Sequence, residues 1–460
     1  MRTLRLFLAC VFLLACGDDD GASEPDAFVA PDAASMDGGT PDDAGEGEED
    51  AGEPDLGPPE PTVILPRTGI EARELGVLIN DDDPLSVALG AYYVTARAIP
   101  EENVVHLNLP TGAVLSQGDF ETAKAAVDAA LPAHVEAQLI TWTQPYRAAC
   151  MSITSAFALG FDEMYCNTSG MTCGGTAPID YYDSDSVHPV ADHGLRPTMM
   201  LAASSEAGGE ALIDRGVAAD DTLPAGDGYL VRTTDTARSV RYPTFPGIVE
   251  RWDHEGGLRF TYVDNADGSG SNVIADTDDV LFYFTGLVEV ADLQTNSFVP
   301  GAISDHLTSL GGQLTDSTQM SALRWLEAGA TASFGTVVEP CNLTDKFPNV
   351  RFVLQGYTRG MTAVEAYWRS VKTPGEGVFI GDPLANPWGR HSLRHSGDVL
   401  TIETSILSPG QNLTIQVGDH VDGPWTTIEA ALTAQDLGPS SFTVESTQGS
   451  IFKAFISGDL

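Results

Sequence analysis

Basic side chains are scarce in this chain. Its 460 residues carry 23 Lys and Arg against 66 Asp and Glu, a formal charge of -43 at pH 7, and only four of the bases are Lys. Such a surface repels nucleic acid and anionic lipid, which excludes nucleic-acid partners and leaves divalent cations as natural counter-ions. No apolar run reaches the ~18 residues of a membrane-spanning helix. No G-x-S-x-G elbow is present to expose a catalytic serine, and no C-x-x-C knuckle to hold zinc. Between Cys173 and Cys341 there is no cysteine at all.

What is present begins with an export signal. Arg2 and Arg5 flank the apolar run 6–15, which closes as Leu13-Leu14-Ala15-Cys16. This is the pattern of a bacterial lipoprotein signal over 1–16, with Cys16 lipidated; an ordinary signal peptide with an incidental cysteine is the competing reading. Either way the protein is exported, and the lipid reading anchors it to a bacterial membrane, the outer membrane or cell surface. Residues 17–62 hold sixteen acids, no Lys or Arg and almost no large apolar side chain. They cannot bury enough surface to fold, so a disordered acidic tether is expected. The remainder still carries 50 acids against 21 bases.

After the tether, apolar runs suited to buried strands alternate with amphipathic segments. Strands are expected at 75–80, 103–107 and 137–142, and helices at 84–97 and 119–130. Alternation of this kind implies a parallel sheet covered on both faces. A loop-rich insertion from Cys150 to His193 interrupts it before the run 196–202 resumes it. Further strands are expected at 228–232, 258–263 and 280–284, and helices at 319–328 and 362–371. The run 280–284, Val-Leu-Phe-Tyr-Phe, lacks alternation and reads as a central strand ending at Thr285-Gly286. Beyond Trp388 the pattern becomes apolar-polar alternation with Pro-Gly turns, the signature of a small β-sandwich that packs or adheres. The expected domains are therefore 63–235, a first α/β lobe with a disulfide-tied insertion; 236–390, a second α/β lobe; and 391–460, the β-sandwich.

Several groups could carry chemistry. Cys150, Cys166, Cys173 and Cys341 lie in an oxidising setting, and the expected bridges are Cys166–Cys173 and Cys150–Cys341, with a four-thiolate zinc site as competitor. Asp305 and His306, on an expected helix with Thr308 and Ser309 beside them, supply a base and hydroxyls; a helix histidine and a cap at Ser309 are the plainer account. Asp183, Asp185, His188, Asp192 and His193 crowd the insertion with ligands suited to a transition metal, or with a solvated loop. Asn265, Asp267, Ser269, Gly270 and Asp276 imitate a calcium loop, and equally an ordinary turn. Asp81, Asp82 and Asp83 follow the first strand, where ligands of parallel sheets bind; Asp83 before Pro84 caps the helix and leaves two carboxylates for a cation or substrate.

Motifs over residues 70–388 resemble an uncharacterised family of exported bacterial proteins. They are Asn80 with Ser86, Tyr92-Tyr93 with Arg97 and Asn103, the run 196–202, Leu212 to Gly216, the run 300–309, the run 329–336 with Glu339-Pro340, and Gly381-Asp382-Pro383-Leu384. The second half is also similar to the gingipain-like cysteine peptidases of the caspase-like superfamily. That resemblance implies a caspase-like α/β core, with Tyr283-Phe284-Thr285-Gly286 at the turn that carries the catalytic histidine, 329–336 in the strand after the nucleophile and Gly381-Asp382-Pro383 in the terminal strand. Phe284 or Thr285 stands where the histidine belongs, and the nucleophilic cysteine is missing. The expectation is a monomeric lipoprotein that binds a protein or polymer without peptidase activity, with calcium as the one cofactor in view. The alternative is a hydrolase that uses His306 with nearby hydroxyl or carboxylate groups.

Overall fold

The computed structural model describes residues 62–167, 173–252, 258–435, 438–445 and 449–456; Cys16, the signal and residues 17–61 of the tether lie outside them. In chain order the first part holds β1 (Thr62–Ile64), β2 (Leu75–Asn80), α1 (Pro84–Ala96), β3 (Val104–Leu107), β4 (Val114–Leu115), α2 (Gln117–Ala130) and β5 (Ala137–Ile140). The insertion contributes β6 (Arg147–Ala148), β7 (Met151–Ser152), α3 (Ile153–Leu159) and α4 (Pro189–His193). There follow β8 (Thr198–Met200), α5 (Glu206–Ala219), β9 (Gly226–Arg232), α6 (Phe245–Trp252), β10 (Leu258–Asp264), β11 (Val280–Gly286) and β12 (Phe298–Leu307). The core ends with α7 (Leu323–Ala328), β13 (Ala332–Thr336), α8 (Val350–Tyr357), α9 (Ala363–Trp368) and β14 (Gly377–Gly381).

Ten of these strands form one sheet in the order β10-β9-β11-β12-β13-β14-β8-β5-β2-β3. Every neighbouring pair is parallel except β13 with β14. The sheet is thus two five-stranded parallel halves that run in opposite directions. Numbered as the chain visits them, the strands of each half follow the same 2-1-3-4-5 order. β9 belongs to the half built by the later residues, and β14 returns to complete the earlier one. Full burial of β2 and of β11 agrees with their unbroken apolar runs, since helices cover both faces of a parallel sheet. Phe282 stacks between Phe260 and Phe284 on that strand.

Local signals place the helices. Asp83 caps α1, accepting from Leu85 N at 3.0 Å, with Pro84 in the first turn. Motif residues far apart in sequence then meet in one buried cluster. Asp382, fully buried after β14, accepts from Tyr93 Oη at 2.7 Å, from Leu384 N at 3.1 Å and from the Arg97 guanidinium. Arg97 also pairs with Asp220, which accepts from Asn386 N at 2.9 Å. Burial raises the Asp220 carboxyl to about 6, against the pull of Arg97. Gly216 is required by this packing, because a Cβ there would lie 1.9 Å from Asp382 Oδ2. Tyr93, Arg97, Gly216 and Asp382 therefore owe their place in the motifs to holding α1, α5 and β14 together.

Three expectations are corrected. The bridges are Cys150–Cys166 and Cys173–Cys341, each with α-carbons 5.6 Å apart, in place of Cys166–Cys173 and Cys150–Cys341. The short helix α3 turns the chain back after Cys150 and delivers Cys166 beside it, which frees Cys173 to tie the insertion to the second half. Asp305 and His306 lie on strand β12, not on a helix, in a stretch buried from Gly301 to Leu307. The helix expected over 319–328 is confined to α7, and 319–322 are non-helical.

The C-terminal part is β15 (Ser392–Ser396), β16 (Val399–Thr404), β17 (Asn412–Gly418), β18 (Thr426–Thr433), β19 (Ser440–Glu445) and β20 (Ile451–Ile456). Two sheets, β15-β16-β19 and β1-β20-β17-β18, share a core that includes Leu400, Ile402, Leu413, Ile415 and Phe452. The sandwich thus takes its edge strand from the other end of the chain: β1 pairs in parallel with β20, Thr62 opposite Ile451.

Removing one partner of a buried ion pair strands the other charge. Arg97→Ala is expected to lower the unfolding free energy by about 3–5 kcal/mol in guanidinium titrations. A loss under ~1 kcal/mol, the size expected of an exposed pair, would show that Asp382 does not depend on this cation.

Candidate functional site

The carboxyl ends of β9, β11 and β12 meet at one edge of the second half-sheet, where a parallel fold presents its ligand-binding side chains. At this edge the crevice between β9 and β11 is closed. Thr233 Oγ1 donates to Gly286 O at 2.8 Å, and Thr233 N donates to Ser239 Oγ at 2.9 Å. The turn that these bonds hold passes directly over Gly286, where a Cβ would sit 2.1 Å from Arg238 O. Gly286 therefore admits a backbone, and the end of β11 displays no reactive side chain. Arg238 Nε reaches on to Thr308 Oγ1 at 3.2 Å, and Thr308 in turn bonds Gln319.

Asp305 and His306 are neighbours on β12, so their side chains point to opposite faces of the sheet and cannot form a carboxylate-imidazole pair with each other. Asp305 pairs with Arg241, Nη2 to Oδ1 at 2.6 Å, and the same Nη2 donates to Thr285 O at 2.8 Å. Burial raises the Asp305 carboxyl, while Arg241 opposes the rise. His306 accepts a hydrogen bond from Trp325 Nε1 at Nδ1, 2.9 Å, which leaves the ring proton on Nε2. Burial, with the charge of Arg241 behind it, lowers the His306 pKa to about 3 and keeps the ring neutral. Ser309 Oγ donates to Glu339 Oε1 at 3.0 Å, and that oxygen also accepts from Cys341 N at 2.7 Å. Among the described residues no hydrogen bond joins His306 to Thr308 or Ser309. Cys341 is held by Cys173 and offers no thiolate.

Arg241, Trp325 and Glu339 are the partners that decide these roles. Arg241 lies 64 residues before Asp305, Trp325 19 residues after His306 and Glu339 30 residues after Ser309. No local pattern marks them.

The acidic candidates bind protein groups. Asp183 and Asp185 face Arg369 at 3.4 and 3.1 Å, and Asp185 also meets Arg359 at 3.2 Å. His193 Nε2 lies 2.9 Å from Ser184 Oγ, Asp192 accepts from Ser186 Oγ at 2.5 Å, and His188 turns to Glu136 at 3.4 Å. In the other loop Asn265 Oδ1 accepts from Gly270 N at 2.7 Å, and Asp267 Oδ1 accepts from Ser269 N and Oγ at 2.9 and 2.7 Å. Asp276 N donates to Thr295 Oγ1 at 2.8 Å. The bonds of Asn265 and Asp267 are turn-forming bonds made by oxygens a cation would need, whereas Asp276 bonds through its backbone N–H. Among the described residues no group of three or more His, Cys, Asp or Glu stands ready to hold a metal. On the first half-sheet Asp81 meets His106 Nδ1 at 2.7 Å, and Asp82 accepts from Asn108 Nδ2 at 3.2 Å, both at the exposed surface. Beside them a cavity of about 540 Å3 opens at the carboxyl ends of β2, β5 and β8.

No family model and no curated protein matches the chain, so the likeness to uncharacterised exported proteins rests on the quoted motifs alone. Two solved structures are similar over most of its length. One is a structure of a protease, with a TM-score of 0.41, 9% identity, and coverage of 85% of this chain and 98% of that one. The other is a complex of the Porphyromonas gingivalis RgpB pro- and mature domains, with a TM-score of 0.39, 9% identity, and coverage of 83% and 99%. The likeness is too slight to carry chemistry from either protein to this chain.

Proposed function

We propose that this chain is an exported, lipid-tethered binding protein, monomeric on its acidic stalk, whose α/β core performs no thiol-peptidase chemistry. The observation that carries this reading is the engagement of the two groups a thiol enzyme would need: Cys341 is bridged to Cys173, and His306 is buried against Trp325 with a depressed pKa. A general base must reach the proton it removes, and a nucleophile must be free to ionise. The same engagement of His306 speaks against a hydrolase built on that residue. The partner is a protein or polymer met outside the cell, and the acidic surface disfavours nucleic acid.

Digestion of casein by the purified chain, with and without a thiol inhibitor, is expected to give no cleavage. Inhibitable cleavage that disappears in both Cys341→Ala and His306→Ala would overturn the reading.

His306 also makes stability depend on pH. Its folded pKa of about 3 lies below the ordinary 6.5, so above pH 6.5 both states are neutral and no linkage exists. As the pH falls below 6.5 the unfolded chain takes up a proton that the folded chain refuses, and stability is lost. Between pH 7.5 and 5 this amounts to about 2 kcal/mol, which should be missing from His306→Gln. Equal slopes for the two proteins in denaturant titrations across that range would contradict the buried, neutral ring.

Cys16→Ala is expected to move the protein from the membrane fraction to the soluble fraction of a bacterial host. Retention in the membrane would refute the lipid anchor.

A further inference from the structure

The two half-sheets share a strand order, and they also share a detail at the first strand of each. Asn80 N donates to the hydroxyl of Ser86, six residues on, at 2.9 Å; Thr233 N donates to the hydroxyl of Ser239, again six residues on, at 2.9 Å. From these equivalent starts the two edges diverge. After β9 the turn 235–239 folds back across Gly286 and fills the crevice. After β2, Pro84 opens the 13-residue helix α1, and the chain leaves the crevice empty. β2 and β5 are the neighbours from which the chain winds outward in opposite directions, the switch point at which open α/β sheets bind ligands. The cavity of about 540 Å3 lies there, within the ordinary size of a small-ligand site.

We propose that this cavity binds a neutral, hydroxyl-rich ligand with the chemistry of a saccharide unit. Its polar wall is built from Asp83, Thr111, Thr143, Gln144, Ser204 and Arg324. Arg324 already pairs with Glu327 at 2.6 Å, and Ser204 Oγ donates to the same carboxylate at 3.0 Å, so the guanidinium's remaining N–H groups are the donors that face a ligand's hydroxyls. Asp83 spends Oδ1 on its helix cap at Leu85 N, and Gln144 spends its amide nitrogen on Thr315. Asp83 Oδ2 and the Gln144 carbonyl remain as acceptors. Thr143 fixes the floor, because its Oγ1 donates to Ala203 O at 2.8 Å and accepts from Ala203 N at 3.0 Å, locking the ends of β5 and β8 together. Leu85, partly exposed, supplies apolar surface against which the C–H face of a sugar ring packs, and Leu314 and Leu323 line the cavity as buried side chains.

Charge selects against the other small ligands. The start of α1 would attract an anion, but Asp83 already occupies it and Asp81 and Asp82 stand beside it. A cation would meet Arg324, whose ion pair with Glu327 at 2.6 Å leaves the guanidinium half exposed. A neutral ligand that both donates and accepts hydrogen bonds is compatible with every group in the wall.

This assignment rests on the reading of the chain as a binding protein and gives that reading a ligand. The test is calorimetric titration of the full chain with D-glucose, D-galactose, N-acetylglucosamine and maltose, with inorganic phosphate and ethanolamine as charged probes. At least one sugar should bind with a millimolar or tighter Kd and neither charged probe should. Asp83→Asn keeps a competent helix cap, and Arg324→Gln changes an exposed side chain; each should weaken sugar binding by about tenfold or more. Arg238→Gln, at the closed crevice, should leave it unchanged. The proposal is overturned if no sugar binds at tens of millimolar, if binding survives both cavity variants, or if phosphate or ethanolamine binds in the cavity instead. Any of these results leaves the casein assay untouched, so failure of the ligand assignment and failure of the non-peptidase reading are separable.

Discussion

Five residue pairs, from Ala332 opposite Gly381 to Thr336 opposite Gly377, make the antiparallel ladder between β13 and β14. It joins two parallel half-sheets into a single layer, and it requires glycine at close quarters. A Cβ at Gly381, whose φ is +137°, would lie 2.3 Å from Thr331 O, and one at Gly377 would lie 2.4 Å from the Phe334 ring. Asp382 follows immediately and is carried into the Tyr93 and Arg97 cluster. The seam thus fixes the orientation of the halves, and the buried ion pair fixes the helices α1 and α5 to it. Buried charges of this kind cost much to break, because removing one partner leaves the other charge uncompensated.

Because the halves run in opposite directions, their carboxyl edges face opposite ways along the sheet. Each edge could hold a crevice, and the chain treats them differently. One is sealed by backbone over Gly286, with the nearby Asp305 and His306 held inside the core by Arg241 at Oδ1 and by Trp325 at Nδ1, while Asp305 Oδ2 and His306 Nε2 are buried without a hydrogen-bond partner among the described residues. The other remains open between Asp83, Thr143 and Ser204. Burial explains why the histidine, though chemically capable, is unsuited to act as a base near neutrality: a desolvated ring resists the proton it would have to accept.

The bridge from Cys173 to Cys341 ties the insertion to the second half, while β1 ties the start of the folded chain to the C-terminal sandwich. Both link segments remote in sequence, and the disulfide, being covalent, also limits the freedom of the unfolded chain.

Much of the layout is legible in the sequence because short-range physics decides it. The unbroken apolar run 280–284 reads as a strand buried on both faces, Asp83 before Pro84 as a helix start, and the alternation beyond Trp388 as a two-faced sheet, and the structure has all three. Pairings across long separations were not legible. The run around Asp305 and His306 reads as a helix and is a strand, because burial on both faces erases the period that separates the two, and the partners Arg241 and Trp325 lie too far along the chain to correct the reading. Four cysteines admit three pairings, and the reversal made by α3 chose among them. The opposed direction of the half-sheets, the pairing of β1 with β20, and the open and closed crevices followed from tertiary structure alone, because each depends on where distant segments come to rest and none leaves a periodic mark on its own stretch of chain.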